Sequence, residues 1–192
     1  MKIAAIIPAR GGSTRLKRKN IYPVWGAPML SWPIRACKAS KYINDIYVST
    51  EDSEIGRVAT YFGAKVIQRP ESLADNFTFK QHAIVHAAKN LTYKPDCVIS
   101  IQANSPEMSA VDLDNAIEKF LKHNRSEIFS VDENLIQNAA FRIMKYEYVF
   151  QKSLSTCCGA YVTDYIDVHT LEDIEELEAQ RSPSKHYGEE NV

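Results

Sequence analysis

A chain of 192 residues that is 45% hydrophobic and 24% charged holds enough apolar material for one full core and fits one domain better than two. Its net charge of -1 argues against a nucleic-acid partner, because phosphate neutralisation by Lys and Arg supplies most of that affinity. No apolar stretch approaches the roughly 20 residues that cross a bilayer, and Met1 to Pro8 lacks the features of a secretion signal, so no membrane partner and a cytoplasmic location are expected.

Apolar runs of strand length alternate with segments of helical period, the signature of βαβ units building a mostly parallel sheet, and the fold class is therefore α/β. Strands are expected at about 2–7, 45–50, 64–67, 96–101 and 127–131, each rich in Ile, Val or Tyr. The first strand empties into Pro8-Ala9-Arg10-Gly11-Gly12-Ser13-Thr14-Arg15-Leu16-Lys17-Arg18-Lys19-Asn20, where a glycine pair stands among five cations and no acid. Glycines let a backbone approach a ligand and turn its amides toward it, and the cations offset polyphosphate charge. Such a loop at the carboxyl end of the first strand is where α/β sheets bind ligands. The spacing matches neither the Walker pattern nor the three-glycine dinucleotide pattern. It reads as a phosphate cradle for one small polyanion, against the alternative of a solvated basic turn.

A helix is expected from Pro28, a residue favoured at the first helical position, to about Ser40, with Pro33 kinking it or delaying its start. A second, near 52–62, follows Ser49-Thr50-Glu51-Asp52, which reads as a capping box. A third covers about 78–91, and a fourth starts near Ser109 with Leu113, Ile117, Phe120 and Leu121 facing inward. His82 and His86 lie one turn apart on the third helix but lack the glutamate of a zinc hydrolase, and read as structural. Residues 132–165 are less regular and read as antiparallel strands, their aromatics Phe141, Tyr146, Tyr148, Phe150 and Tyr161 packing on the sheet in preference to stacking on a base. A last helix spans about Leu171 to Gln180, its acidic run a solvated face with Asp173 free to cap it. Residues 1–180 thus form the domain, and 181–192 are expected to be a polar, mobile tail. Cys37, Cys97, Cys157 and Cys158 lack metal-site spacing and read as reduced packing thiols.

The run Ile7 to Ser13, followed by Arg15 and by Lys19-Asn20, resembles the signature loop of the acylneuraminate cytidylyltransferases, the CMP-sialic acid synthetase-like family. Four further segments match in order: Val48 to Asp52 with Ile55; Arg69-Pro70 with Leu73-Ala74-Asp75, Thr78 and His86-Ala87; Gln102 with Ser105-Pro106 and Asp112 to Ile117; and Ile166-Asp167 with Glu172-Asp173. The resemblance implies a Rossmann-like, three-layer nucleotidyltransferase fold with a mostly parallel sheet and a small antiparallel C-terminal part. It implies transfer of CMP from CTP to an acidic sugar, sialic acid-like or Kdo-like, with release of pyrophosphate. Arg10, Gly11, Gly12, Ser13, Arg15, Lys19 and Asn20 inherit nucleotide binding, joined by Arg69, Gln102 and Asn104, with Arg10, Arg15 and Lys19 as the catalytic cations.

Magnesium is the implied cofactor, at Asp167 with His169, where the histidine stands in place of the family's second aspartate. Imidazole suits transition metals better than magnesium, so His169 reads equally as weak ligand, as base toward the acceptor hydroxyl, or as a space filler. Thr14 replaces a lysine of the family loop, a charge that Arg15 or Lys17 would supply, and Met108, after Glu107, replaces an arginine on the acceptor side. These departures keep two alternatives open: a cytidylyltransferase for a phosphonate or phosphorylated small molecule, and a catalytically silent nucleotide-binding module. A glycosyltransferase using a sugar nucleotide is a further rival. The expected partners are CTP and an acidic small-molecule acceptor, with a homodimer left open because 132–165 is short beside the sialic-acid enzymes.

Overall fold

The computed structural model describes residues 1–75 and 78–182; most of the stretch expected to be a tail lies outside them. The elements are Ile3–Pro8 (β1), Pro23–Val24 (β2), Ala27–Pro28 (β3), Ser31–Ala39 (α1), Asp45–Thr50 (β4), Ser53–Tyr61 (α2), Lys65–Gln68 (β5), Lys80–Lys89 (α3), Cys97–Ile101 (β6), Ala110–Lys122 (α4), Glu127–Val131 (β7), Gln137–Lys145 (β8), Cys158–Val162 (β9) and Leu171–Gln180 (α5).

Seven strands form one sheet in the order β5-β4-β1-β6-β8-β7-β9, and β2 and β3 pair separately as a hairpin. Only β8 runs against its neighbours, pairing antiparallel with β6 and β7, while the other six strands share a direction. The expected antiparallel character of 132–165 therefore holds for β8 but not for β9. The chain leaving β8 makes a 3-10 turn at Tyr146–Phe150 and crosses over before pairing parallel to β7.

Alternation along β1 sends Ile3, Ala5 and Ile7 to one face, where Ile34, Cys37, Ile55, Ala59, Leu113, Ile117 and Phe120 of α1, α2 and α4 cover them. Ala4 and Ile6 point to the other, under Ile84, Ala87 and Ala88 of α3. A strand covered on both faces must be apolar throughout, which explains the unbroken run in β1. These are the three layers expected. A third cluster, Leu16, Val24, Met29, Val168, Ile174 and Leu177, ties the loop after β1 to the hairpin and to α5.

Three expectations need correction. Pro28 ends the β2–β3 hairpin, whose turn residues Trp25 and Gly26 have φ of 49° and 75°, the left-handed pair that a two-residue hairpin demands. The helix starts three residues later, at Ser31, with Pro33 in its first turn, where an amide would have no intrahelical partner in any case. The box before α2 does not form either: Asp52 itself is the N-cap, its carboxylate accepting from the amides of Glu54 and Ile55. Leu121, expected inward, is 40% exposed near the end of α4. On α5 the capping expectation holds, Thr170 and Asp173 forming a reciprocal box.

The aromatics of 141–161 pack as expected: Phe141 is buried with its ring 5.9 Å from that of Tyr161, and Tyr146 meets Phe150 at 5.2 Å. All four cysteines carry free thiols. Among the described residues no helix is long and apolar enough to cross a membrane, and no group of three or more His, Cys, Asp or Glu side chains could hold a metal ion.

Candidate nucleotide site

Helix α1, which follows β1, and helix α3, which precedes β6, cover opposite faces of the sheet, and a crevice opens between the carboxyl ends of these two strands. A cavity of about 290 Å³ lies there. The loop after β1 forms one wall with Arg10, Ser13, Thr14, Arg15, Lys19 and Asn20, and the segment after β5 contributes Arg69, Leu73, Asp75 and Thr78. Gln102, Asn104 and His169 line it as well, as does Lys80 of α3. The structure thus brings together most of the residues singled out from the sequence. Gly11 and Gly12 form the loop's backbone without lining the cavity, and Asp167 stands just behind Asn104 and His169.

The loop is held from behind. Glu51 accepts from the Gly11 amide at 2.6 Å through one carboxylate oxygen and pairs with Arg69 at 2.6 Å through the other. Arg69 is 4% exposed, and its Nε has no partner, so the side chain keeps a buried donor unspent at the cavity. Asn20, also buried, donates to the Arg10 carbonyl at 2.8 Å, and Arg10 reaches over to the Asp75 carbonyl at 2.7 Å. Arg18 turns away, to Asp52 at 3.1 Å and to Glu54, and Lys17 does not line the cavity. Three of the five cations therefore face inward, and Arg15, not Lys17, stands beside Thr14 there.

Gly11 and Gly12 are not equivalent. A Cβ on Gly11 would stand 2.5 Å from Asp52 Oδ2 and 3.0 Å from its Cβ, whereas one on Gly12 would meet nothing within 4 Å. Asp52 cannot yield, because its carboxylate caps α2 and holds Arg18. Gly11→Ala is therefore expected to displace the loop and weaken binding of a polyphosphate ligand by about tenfold or more, with Gly12→Ala within a factor of about three, by calorimetric titration; ~1.4 kcal/mol corresponds to tenfold.

Opposite the loop, the segment 164–169 is stapled to the loop after β6. Asn104, 5% exposed, donates to Asp167 Oδ1 at 2.5 Å and to the Val168 carbonyl at 2.7 Å, and the Val168 amide returns to the Asn104 carbonyl at 3.1 Å. Glu107 accepts from the Ile166 amide at 2.7 Å and from Arg181 at 2.6 Å. Burial pushes the Glu107 carboxyl up in pKa, against the pull of the Ile166 amide and Arg181. Glu107 thus braces the segment that carries Asp167, and Met108, fully buried in the core, presents nothing to a ligand. Glu107→Ala is expected to lower stability by about 2 kcal/mol, the cost of leaving such donors unsatisfied, and Glu107→Gln by about half of that; urea unfolding checks both.

His169 bridges the two walls. Lys19 Nζ lies 3.2 Å from its Nδ1 and donates to the Val168 carbonyl at 3.1 Å, while Nε2 lies 2.9 Å from Asp167 Oδ2. An ammonium has no lone pair to offer, so Nδ1 is the acceptor and Nε2–H donates to the carboxylate. Burial lowers the pKa of Lys19; Asp167 opposes this, while Arg15 and Arg10 add to it. His82 and His86 sit elsewhere on α3, do not line the cavity, and in His86 Nδ1 is buried without a partner.

Lys80 is the residue that sequence reading missed. It lines the cavity and makes no hydrogen bond or ion pair among the described residues. Its only sequence signal is a cation at the first position of α3, a helix with no acid in its first turn and no side-chain cap, where the macrodipole disfavours positive charge.

An α/β sheet with a cationic phosphate-type cradle at its switch point and a carboxylate facing it defines a nucleotidyltransferase-type domain. Residues 4–184 match the model of the family described as Cytidylyltransferase, and the chain belongs to that family. It is 35% identical over 129 residues to the N-acylneuraminate cytidylyltransferase A of Danio rerio, covering 67% of this chain and 30% of that protein. It is 34% identical over 139 residues to the pseudaminic acid cytidylyltransferase of Campylobacter jejuni, covering 69% and 59%. The chain thus spans only about a third to three fifths of the length of these relatives. In fold it is similar to a CMP:2-keto-3-deoxy-manno-octonic acid synthetase solved with CTP, with a TM-score of 0.77, 14% identity and coverage of 93% of this chain and 98% of that one. A Mycobacterium tuberculosis protein solved with manganese is similar at a TM-score of 0.70 and 11% identity, covering 94% and 100%.

Proposed function

We propose that this chain transfers CMP from CTP to an acidic sugar of the sialic, pseudaminic or Kdo-like class, releasing pyrophosphate, in the cytoplasm. The observation that carries the reading is the cavity between β1 and β6, with Arg10, Arg15 and Lys19 on one wall and Asp167 behind the other. The names of the relatives support the acceptor class, and the family supports the nucleotide chemistry.

In the displacement, the acceptor's hydroxyl oxygen gives up its proton to solvent and bonds to the α-phosphorus while the bond to the bridging oxygen of the leaving pyrophosphate breaks. Negative charge grows on the bridging and equatorial oxygens, so cations fixed beforehand lower the barrier. Arg10, Arg15 and Lys19 fill that role; Glu51 and the Gly11 carbonyl hold the amides of Gly11 and Ser13 and so set the loop's shape, and the Gly12 amide is the one offered to the phosphates. Asn20 holds the loop's curve through the Arg10 carbonyl. Arg69, with its unused Nε, and Gln102 and Asn104 take the cytidine end.

A divalent ion, magnesium by the hardness of its donors, would sit on Asp167. The carboxylate's two oxygens each accept one hydrogen bond and keep lone pairs to spare. One carboxylate suits an ion that retains waters and completes its shell from triphosphate oxygens. When bound, it supplies charge neutralisation of the leaving group. We assign His169 a positioning role, since hydrogen bonds to Lys19 and Asp167 occupy both ring nitrogens and leave neither for a ligand's or a base's task.

The test is pyrophosphate release from CTP and magnesium with N-acetylneuraminate, Kdo and a panel of phosphonate and phosphorylated acceptors. Turnover with a sugar acid supports the reading. Turnover confined to phosphonate or phosphorylated acceptors, or calorimetric CTP binding with no turnover at all, overturns it.

A further inference from the structure

Lys19 and Lys80 both line the cavity, and Asp167 attracts both, yet the cations that crowd them differ. Lys19 feels Arg15 and Arg10 of the phosphate loop, whereas Lys80 feels Arg142 of β8 and no cation of that loop. Lys19 belongs to the phosphate loop, whereas Lys80 opens α3, whose first turn lies against the turn after β8, Gln81 donating to the Val149 carbonyl at 2.7 Å; the two lysines enter the cavity from different walls.

Charge inventory separates Lys80 from its neighbours further. Arg142 is spent on Glu127, a carboxylate with no exposed surface, and Arg69 is spent on Glu51. Lys19 is tied to Val168 and His169. Lys80 makes no hydrogen bond or ion pair among the described residues. Burial and Arg142 lower its pKa, and the pull of Asp167 offsets only part of that. Its place at the first residue of α3, with no acid in that turn, adds to the cost. A cation that lines a cavity and makes no hydrogen bond or ion pair there is suited to an anion that arrives with a ligand. In an in-line displacement the incoming oxygen must approach the α-phosphorus from the side opposite the leaving pyrophosphate. Lys80 enters from the wall of α3, not from the cradle that takes the leaving group.

We propose that Lys80 is the specificity-determining cation for the acceptor, pairing with the acceptor's carboxylate from the α3 wall of the cavity; this rests on the acceptor reading above. It gives the acceptor side a positive charge of its own, where Met108, buried in the core, contributes none. The lysine's compact, mobile ammonium tolerates acids of differing ring size, so it selects for negative charge more than for sugar shape.

The experiment compares wild type, Lys80→Met and Lys80→Arg with CTP, magnesium and either N-acetylneuraminate or its methyl ester, and with Kdo. Wild type is expected to prefer the free acid over the ester by about 30-fold or more in kcat/KM, as for a lost charged pair. Lys80→Met should remove most of that preference, raise KM for the acid by at least tenfold and leave the calorimetric Kd for CTP within about twofold. Lys80→Arg should restore the preference in large part. Lys80 is exposed to solvent as well as to the cavity, so circular dichroism and thermal midpoint should be unchanged in both variants. Persistence of the acid-over-ester preference in Lys80→Met overturns the proposal. So does an equal loss of CTP affinity, which would make Lys80 a triphosphate cation. No turnover by wild type on any acid instead overturns the acceptor reading beneath it, and this assignment with it.

Discussion

Arg15→Ala is expected to reduce kcat/KM for CTP by about 100- to 1000-fold while changing unfolding free energy by less than ~0.5 kcal/mol. Arg15 is exposed, lines the cavity and makes no hydrogen bond or ion pair among the described residues, so its removal takes nothing from the fold. Thr14 beside it carries no charge, and Lys17 and Arg18 are out of reach, so no neighbouring cation on the loop substitutes for it. Arg10 and Lys19, by contrast, also brace the walls through Asp75, Val168 and His169, so their variants would mix loss of charge with loss of geometry. Steady-state kinetics beside urea unfolding separates the two. Equal loss of activity and stability would make Arg15 a structural residue.

Asp167→Asn is the second large effect, expected to lower kcat/KM by about 1000-fold, or roughly 4 kcal/mol of transition-state stabilisation. The amide keeps the carboxylate's shape but not its charge. Asn104 and His169 both donate toward Asp167, so the new NH₂ must face one of these donors. Lys19 and Lys80 would at the same time lose their leading counter-charge. The requirement for magnesium should shift to far higher concentration, which a manganese titration followed by electron paramagnetic resonance reads without any turnover. His169→Asn should be milder, about tenfold, because it removes the group that orients Asp167 and not the charge itself. An unchanged metal affinity in Asp167→Asn would contradict its assignment as the anchor.

The sheet was legible because its strands are buried on both faces. Runs such as Ile3–Pro8, Asp45–Thr50 and Glu127–Val131 show little else than strand character, and the observed limits lie within a residue of the expected ones. Misreadings cluster where one residue type serves two structures. Pro28 is as much at home closing a hairpin as opening a helix, and the decisive signal was the Trp25-Gly26 pair in left-handed conformation. At the entry to α2, Ser49 and Thr50 belong to the buried strand, and Asp52 takes the cap by position.

At the site, the loop was legible because glycines and cations in one short stretch have few other uses, but the division of labour within it was not. Whether Arg18 faces a ligand or α2 depends on carboxylates at 52 and 54 that only the fold brings near. Glu107 and Met108 looked like acceptor-side changes and proved to be a brace and a core residue. Lys80 stood in a helix with no motif to mark it, and the cavity alone reveals it.

The most direct test is a crystal structure of this chain with CTP and magnesium. The triphosphate should lie along residues 10–20 in contact with Arg10, Arg15 and Lys19, with the ion bridging it to Asp167. A triphosphate bound elsewhere, with that loop bare and Asp167 turned from the phosphates, would contradict the assignment of this crevice as a cytidylyl-transfer site.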